Sequence, residues 1–363
     1  MKNILSDVYS RLPIRIQYAL DQIRGGNVRA FKQSIYSGLV PAGRALVVCT
    51  CGQHSDATLK IKSNTRKVVF VWDPLRGMSG STLMRVHQSS ERINSLFPEI
   101  KVSVCPIQSP DVFKIKDAII FLSKSVLLDD NAYRMLCGSS NIMLVDYVDG
   151  SHIASIDTNI DGFICASFVE HSWTKKHYSK PSFLVPHAID ARLNSIALSE
   201  HKDLKFNCGY FGHLDNGLMV QTLTELGKIQ LLRDSIVANE SEAQPDWMFD
   251  ALRMTAHYIA RPIDQQSSGQ FKPFTKGFLA AHCGAITVGG KYEVENVHWL
   301  GADYPFLVED QTIESAVRAL DRCQDSWMSR DFDHARQVAL ENRQVSCPIS
   351  NAKDYVSAIT HFS

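Results

Sequence analysis

Excess charge of either sign is missing from this chain. Its 38 Lys and Arg residues balance 38 Asp and Glu, for a formal net charge of +0 and a pI near 7.2. No overall field draws it to nucleic acid, so no nucleic-acid partner is expected. It also has no C-x-x-C pair and no His/Cys ladder at zinc spacing. The nine cysteines are scattered, with Cys49-Thr50-Cys51 the close pair. That argues against a disulfide framework or a zinc module and for reduced, mostly buried thiols in a cytosolic protein. No apolar run approaches the roughly 20 residues of a membrane span. Asp7, Arg11, Pro13 and Arg15 interrupt any signal-peptide core. Internal repeats, low-complexity tracts and heptad runs are missing too. What is present is ordinary globular composition, 45% hydrophobic and 21% charged over 363 residues, long enough for two domains with separate cores.

Residues 1–44 are the basic part. Lys2, Arg11, Arg15, Arg24, Arg29, Lys32 and Arg44 face only Asp7 and Asp21. Two readings stand: helices packed on the first domain with their charges in water, or an amphipathic surface for peripheral association with anionic lipid. No Trp or Phe stands among Ile14–Ile23 to mark an apolar side, which favours the packed helices.

A parallel α/β domain is expected over 45–190. Fully apolar strands at 45–49, 67–72, 102–105, 118–122, 141–146, 162–167 and 182–186 alternate with helices at about 82–96 and 131–137. Strands apolar on both faces imply a sheet covered on both sides, whose ligands gather at the carboxyl ends of the strands. Residues 191–204 read as a polar crossing and 205–335 as a second α/β domain, with a short strand edge at 236–239. Residues 336–363 read as a closing helical segment.

Two loops of the first domain carry chemistry. After strand 67–72, Gly77 and Gly80 permit close backbone approach, Ser79 and Ser81 can donate to hydroxyls, and Arg85 follows on the helix. The alternative is a surface turn with an N-cap serine. After strand 141–146 comes Asp149-Gly150-Ser151-His152. A carboxylate there can take a proton from an acceptor hydroxyl, attack an anomeric carbon or steady an oxocarbenium-like state. Asp149 is the first choice, because Asp146 still belongs to the strand. His152 is either a catalytic partner or a loop histidine bonded to backbone.

In the second domain the informative stretch is Phe271–Gly290, FKPFTKGFLAAHCGAITVGG. Pro273 suits a helix's first turn, and Lys272, Thr275 and Lys276 surround a helix start that offers free N–H groups to a phosphate. Upstream, Arg261 ends a strand, and its planar fork matches phosphate oxygens. Gly212 and His213 form a glycine turn after the strand ending at Phe211. Glu293 and Glu295 follow the Gly289-Gly290 pair; Glu293 is a candidate catalytic carboxylate, and Glu295, Gly212 and His213 are candidates for contacts with the donor.

This stretch resembles the donor-binding segment of GT-B glycosyltransferases, in which a K-P-x-T-K run leads a small-residue helix and a strand. Val185-Pro186-His187-Ala188-Ile189-Asp190 resembles the element closing the first domain of such enzymes. Cys208–Leu214 resembles the strand and glycine turn opening the second. The likeness covers about 145–310 well and the rest loosely. It implies two Rossmann-like domains facing across a cleft, acceptor on the first and nucleotide-sugar donor on the second. It also implies the Gly77–Ser81 loop near the sugar or acceptor and an acidic residue, Glu293, near the donor. In one respect the chain departs from the pattern. Where many retaining members carry an E-x7-E pair, this chain has Phe271 and Leu279, so ribose recognition differs and a CMP-linked ulosonic acid such as Kdo stays open as donor.

The expected activity is transfer of a sugar from a nucleotide donor to a hydroxyl of a surface glycan or lipid-linked acceptor in the bacterial cytoplasm. No cofactor is expected. Metal independence is expected because Lys272, Thr275, Lys276 and Arg261 can neutralise the leaving phosphate, and no clear D-x-D carboxylate pair is read in the sequence. The rivals are a non-catalytic sugar or nucleotide sensor and a sugar-nucleotide epimerase on the same two domains.

Overall fold

The computed structural model describes residues 66–128, 140–195, 205–232, 246–262, 271–327 and 329–363. The expected basic segment 1–44, the strand at 45–49, the helix at 131–137 and the strand edge at 236–239 lie outside these residues.

Two parallel sheets organise the chain. The first runs β2-β1-β3-β4-β5-β6, built from β1 (Lys67–Trp72), β2 (Val102–Pro106), β3 (Ala118–Ser123), β4 (Ile142–Asp146), β5 (Gly162–Cys165) and β6 (Ser182–Leu184). Its register aligns Val69 with Ile120, and Phe121 with Leu144. The second runs β11-β10-β9-β7-β8, from β7 (Cys208–Phe211), β8 (Gln230–Leu232), β9 (Ala256–Tyr258), β10 (Ile286–Gly290) and β11 (Leu307–Val308). Every pairing is parallel. That is the expected α/β class, and it follows from the sequence: strands of Val, Ile and Phe buried on both faces need helices on both sides.

Successive strand residues serve opposite faces of the first sheet. Val69, Val71, Ile120, Leu122 and Val145 fill one core; Val68, Phe70, Ile119, Phe121 and Leu144 fill the other. The second core is covered by the helix that begins Gly80–Thr82, passes through a π-helical segment Leu83–His87 and continues Gln88–Leu96 (α1). It is covered equally by the last helix, Pro348–His361. Tyr355 lies edge-on to Phe70 and Phe121, both at 5.5 Å, while those two rings stack at 4.6 Å. Tyr355, Val356 and Ile359 are fully buried there, each contributing on the order of 1.5–3 kcal/mol of transfer free energy. The chain's end thus packs back on the first domain.

Four further helices matter for the site: α2 (Ala154–Asp157), α3 (Phe168–His177), α4 (Thr275–His282) and α5 (Val294–Leu300). Among the described residues no helix is long and apolar enough to cross a membrane.

Candidate active site

The loops at the carboxyl ends of the two sheets meet. On the second sheet the site begins with α4. Its start carries no side-chain cap, so its first N–H groups are left for water or a ligand. Gly277 fixes the local packing, since a Cβ there would lie 2.1 Å from the Phe274 ring. Lys276 projects from the first turn beneath the glycine turn after β7. Its ammonium stands 4.0 Å from the centre of the Tyr210 ring and donates to the Tyr210 hydroxyl at 2.8 Å. Gly212 has φ +119, and a Cβ on it would come within 3.1 Å of the Lys276 ammonium. The glycine therefore lets backbone close over the lysine.

Arg261 is buried at the end of β9. Its guanidinium donates to the Pro273 carbonyl at 2.8 Å, and Glu293 Oε2 lies 3.9 Å from its Nε. Glu293 is 1% exposed and accepts from the Arg261 N–H at 3.0 Å and from Asn296 at 2.8 Å. Burial, opposed by Arg261, pushes its carboxyl up to about 7. Expected as a catalytic or donor-side carboxylate, Glu293 stands behind Arg261 as its brace. No described carboxylate reaches ion-pair distance of Lys276. Lys276 keeps some accessible surface, yet its ammonium is packed among protein atoms. That desolvation, helped by Arg261 and Lys272 and opposed by Glu293, pushes it well below the usual lysine range. Thr275 is half-buried at the first position of α4.

Glu295, expected on the donor, is turned to the other domain. Its oxygens accept from the N–H groups of Phe168 and Val169, at 3.2 and 3.1 Å, and from Trp299 Nε1 at 2.7 Å. It thus caps α3 of the first domain from α5 of the second. His298, one turn on, stacks on Phe168 with ring centres 3.5 Å apart. The reason is local: on α5 the Glu295 side chain lies a helical turn from Trp299 and faces the start of α3, where Ser167 accepts from the Glu170 N–H and leaves the Phe168 and Val169 N–H groups to Glu295. His213 likewise stays out of the cation cluster. Its side chain is half-exposed and pairs with Asp215 at 3.3 Å, while its carbonyl accepts from Tyr210.

On the first sheet, Asp149 follows β4 through Val148, which is held at φ +62. A β-branched residue there stores strain of about 1–3 kcal/mol. Asp149 accepts from Lys272 at 2.9 Å through one oxygen and from Lys124 through the other. Burial raises its pKa, but the two ammonium groups outweigh that and hold it well below the usual carboxylate range. Lys124 is absent from the sequence expectations. The signal was available: it follows β3 as Asp149 follows β4, and neighbouring parallel strands place their carboxyl-end loops side by side.

His152 is neither loop-exposed nor bonded to backbone. It is enclosed by Tyr147, Phe163, Trp173, Tyr178 and Phe271. Nδ1 lies 3.1 Å from Asp157 and Nε2 3.3 Å from Glu170. Burial disfavours its charge, yet the two carboxylates overcome this and raise its pKa to about 9. It therefore acts as a buried imidazolium that ties the loop to α2 and α3. Arg85 is also not a free loop residue. It is 3% exposed, paired with Asp146 at the end of β4 and donating to the Val185 carbonyl at 2.8 Å. Ser79 caps α1, accepting from the Thr82 N–H and lying 3.0 Å from the Ser81 hydroxyl. Gly77 has φ +72, and Gly80 opens α1. Ser81, Thr82, Arg85, Lys124, Asp146 and Val148 line one depression at the strand ends. The triplet Asp331-Phe332-Asp333 has D-x-D spacing but sits in the first turn of a late helix, Arg330–Val345. Among the described residues no group of three or more His, Cys, Asp or Glu is placed to hold a metal ion.

No family model matches the sequence, and no curated protein matches it significantly. Solved structures do share the fold. An alpha-glucosyltransferase in complex with UDP and a 13-mer DNA containing an HMU base is similar at TM-score 0.53 and 15% identity, over 82% of this chain and 99% of that one. The DNA-modifying enzyme beta-glucosyltransferase, solved with and without uridine diphosphoglucose, is similar at TM-score 0.50 and 12% identity, over 81% and 99%. Against the GtfA/B complex the chain spans 58% of the matched chain's length, at TM-score 0.46 and 12% identity over 68% of its own. At such identities the likeness establishes architecture: the two-sheet GT-B arrangement.

Proposed function

We propose that the chain is a glycosyltransferase that moves a sugar from a nucleotide donor to a hydroxyl of a glycan or lipid-linked acceptor. The observation that carries this reading is Lys276, an ammonium over the Tyr210 ring with no described carboxylate at ion-pair distance and with Arg261, Glu293 and Lys272 as its charged neighbours. A cation cluster short of anions, at an uncapped helix start and under a glycine turn, fits the phosphates of a nucleotide donor. The fold agrees, since a UDP complex and a UDP-glucose enzyme share it.

In the transfer the acceptor oxygen bonds to the anomeric carbon as the carbon–phosphate-oxygen bond breaks. The acceptor proton passes to a carboxylate, for which Asp149 is the candidate. Negative charge growing on the leaving phosphate is met by Lys272, Lys276, Arg261 and the N–H groups of α4, with no metal required of this donor set. Donors placed where charge develops contribute a few kcal/mol each. The acceptor would occupy the first sheet's side, near Ser81 and Lys124.

The test is a thermal-shift panel of UDP, GDP, dTDP and CMP. A ligand at 100 times its Kd adds roughly 2.7 kcal/mol of stability. Stabilisation by one or more of them supports the donor site and identifies the base. No shift with any, at millimolar concentration, counts against it.

A further inference from the structure

The lysine that stands nearest the acceptor side is already occupied. Lys272, just before α4, gives its ammonium to Asp149, a residue 123 positions away on the other sheet, at 2.9 Å. The other two cations differ. Arg261 is braced by Glu293 from its own sheet, and among the described residues Lys276 donates to a phenol hydroxyl, that of Tyr210. Asp149 does not depend on Lys272 for its place. Its second oxygen is held by Lys124 from the loop after β3, within the first sheet. The loop it stands on is pinned behind it, Tyr147 donating to Asp157 at 2.7 Å and His152 lying 3.1 Å from the same carboxylate. Gly150 closes a tight turn onto the Tyr147 carbonyl at 2.8 Å.

We infer that Asp149 is an internal stand-in for the donor's phosphate: it occupies Lys272 until a phosphate takes that lysine over, and Lys124 keeps it in position once it is released. This rests on the donor-site reading above. A diphosphate brings more charge than a carboxylate and meets Lys276, Arg261 and the α4 N–H groups at once, so it can outcompete a single carboxylate. Released from Lys272, Asp149 retains one cationic partner instead of two. Its proton affinity then rises toward the ordinary carboxylate range, because one of the charges that depressed it has been drawn away. The carboxylate would accept an acceptor's proton readily only when a donor is already bound. Donor first, acceptor second is the order this imposes.

Direct competition has an unusual signature: removing the candidate base should improve donor-site binding. Inorganic pyrophosphate and UDP are titrated calorimetrically into the full-length wild type, Asp149→Asn, Lys272→Ala and the double variant, with thermal unfolding of each as a folding control. Asp149→Ser serves in place of Asp149→Asn if that variant unfolds. Asp149→Asn is expected to bind pyrophosphate about 1.5- to 5-fold more tightly, the order set by a partly exposed ion pair. In the Lys272→Ala background the same substitution should bring no gain. Unchanged or weaker binding by Asp149→Asn overturns the inference. So does a gain that persists without Lys272, which would mark general charge removal. If neither probe binds even the wild type, the donor-site reading itself fails and this inference falls with it.

Discussion

Replacing Lys276 by methionine separates the two things this side chain does. Methionine keeps the unbranched stem against Tyr210 and removes the ammonium. In the folded protein without ligand that ammonium has lost water, has no described carboxylate partner, and has Arg261 and Lys272 as like-charged neighbours. Among the described residues its hydrogen-bond partner is the Tyr210 hydroxyl at 2.8 Å. Removing a poorly compensated charge should leave stability unchanged or raise it. Donor binding should weaken instead, by about 1.5–3 kcal/mol for a hydrogen bond to a charged phosphate, or roughly 10- to 160-fold in Kd. The pH dependence has a definite sign. The unfolded chain holds this proton up to about 10.4, whereas the folded one releases it well below that. Between those limits the unfolded state binds more protons, so wild-type stability rises with pH, and the methionine variant loses that rise. A phosphate draws the proton back, so wild-type affinity falls as pH climbs above the ligand-free lysine's pKa; in the variant this fall flattens. Urea unfolding and UDP titration across pH 6–10 (the roughly accessible range) read both effects. A variant that is strongly destabilised yet binds UDP normally would refute the reasoning, since Lys276 would then be a structural residue.

Three further outcomes follow from the contacts around it. His152→Phe leaves Asp157 and Glu170 buried without their imidazolium and should cost about 3–5 kcal/mol in urea unfolding. Because His152 is raised to about 9 and Glu170 to about 7, both folded groups hold protons more tightly than the unfolded chain. Their stabilisation is fully present below the unfolded values and is lost as pH rises through 7 and then 9; the variant should lack the His152 part of this decline, while Glu170, still buried and without the imidazolium, keeps its own. Glu295→Ala removes the acceptor of the Phe168 and Val169 N–H groups, leaving Ser167 as the cap of α3, and should cost about 1–3 kcal/mol, read as lower urea midpoint and faster hydrogen exchange at Phe168 and Val169. Transfer should survive EDTA, as the phosphate is met by Lys272, Lys276 and Arg261; activity lost to chelator and restored by Mg²⁺ or Mn²⁺ would contradict this.

The sheets were legible because their signal is one-dimensional. Short β-branched and aromatic apolar runs such as Ala118–Leu122 or Val68–Trp72 point to strands buried on both faces, and both became strands at nearly those bounds. The glycine turn at Gly212 and the α4 start were legible through local chemistry and the family likeness. Partnership across the domains was not. Glu295 reads as one acid of a polar turn, and only the approach of α3 turns it into a cap for Phe168 and Val169. Arg85 looks like a loop-side cation until Asp146, 61 positions on, removes it into a buried pair. The helix Pro348–His361 carries its apolar face plainly, but which sheet receives it depends on the chain crossing back. Asn351 donating to the Pro186 carbonyl at 2.8 Å marks that crossing.

The central claim is that a nucleotide donor is cleaved here with its phosphate held by the α4 cations. Incubating the protein with UDP-, GDP-, dTDP- and CMP-linked sugars, and following free nucleotide by ³¹P NMR, tests it most directly. Steady release of nucleotide is expected from at least one donor, faster when a hydroxyl acceptor is supplied and lost in the Lys272→Ala, Lys276→Met double variant. A protein that binds the nucleotide tightly but releases none from any donor, with or without acceptor, would instead be a sensor. Release unaffected by the double variant would contradict the placement of the phosphate.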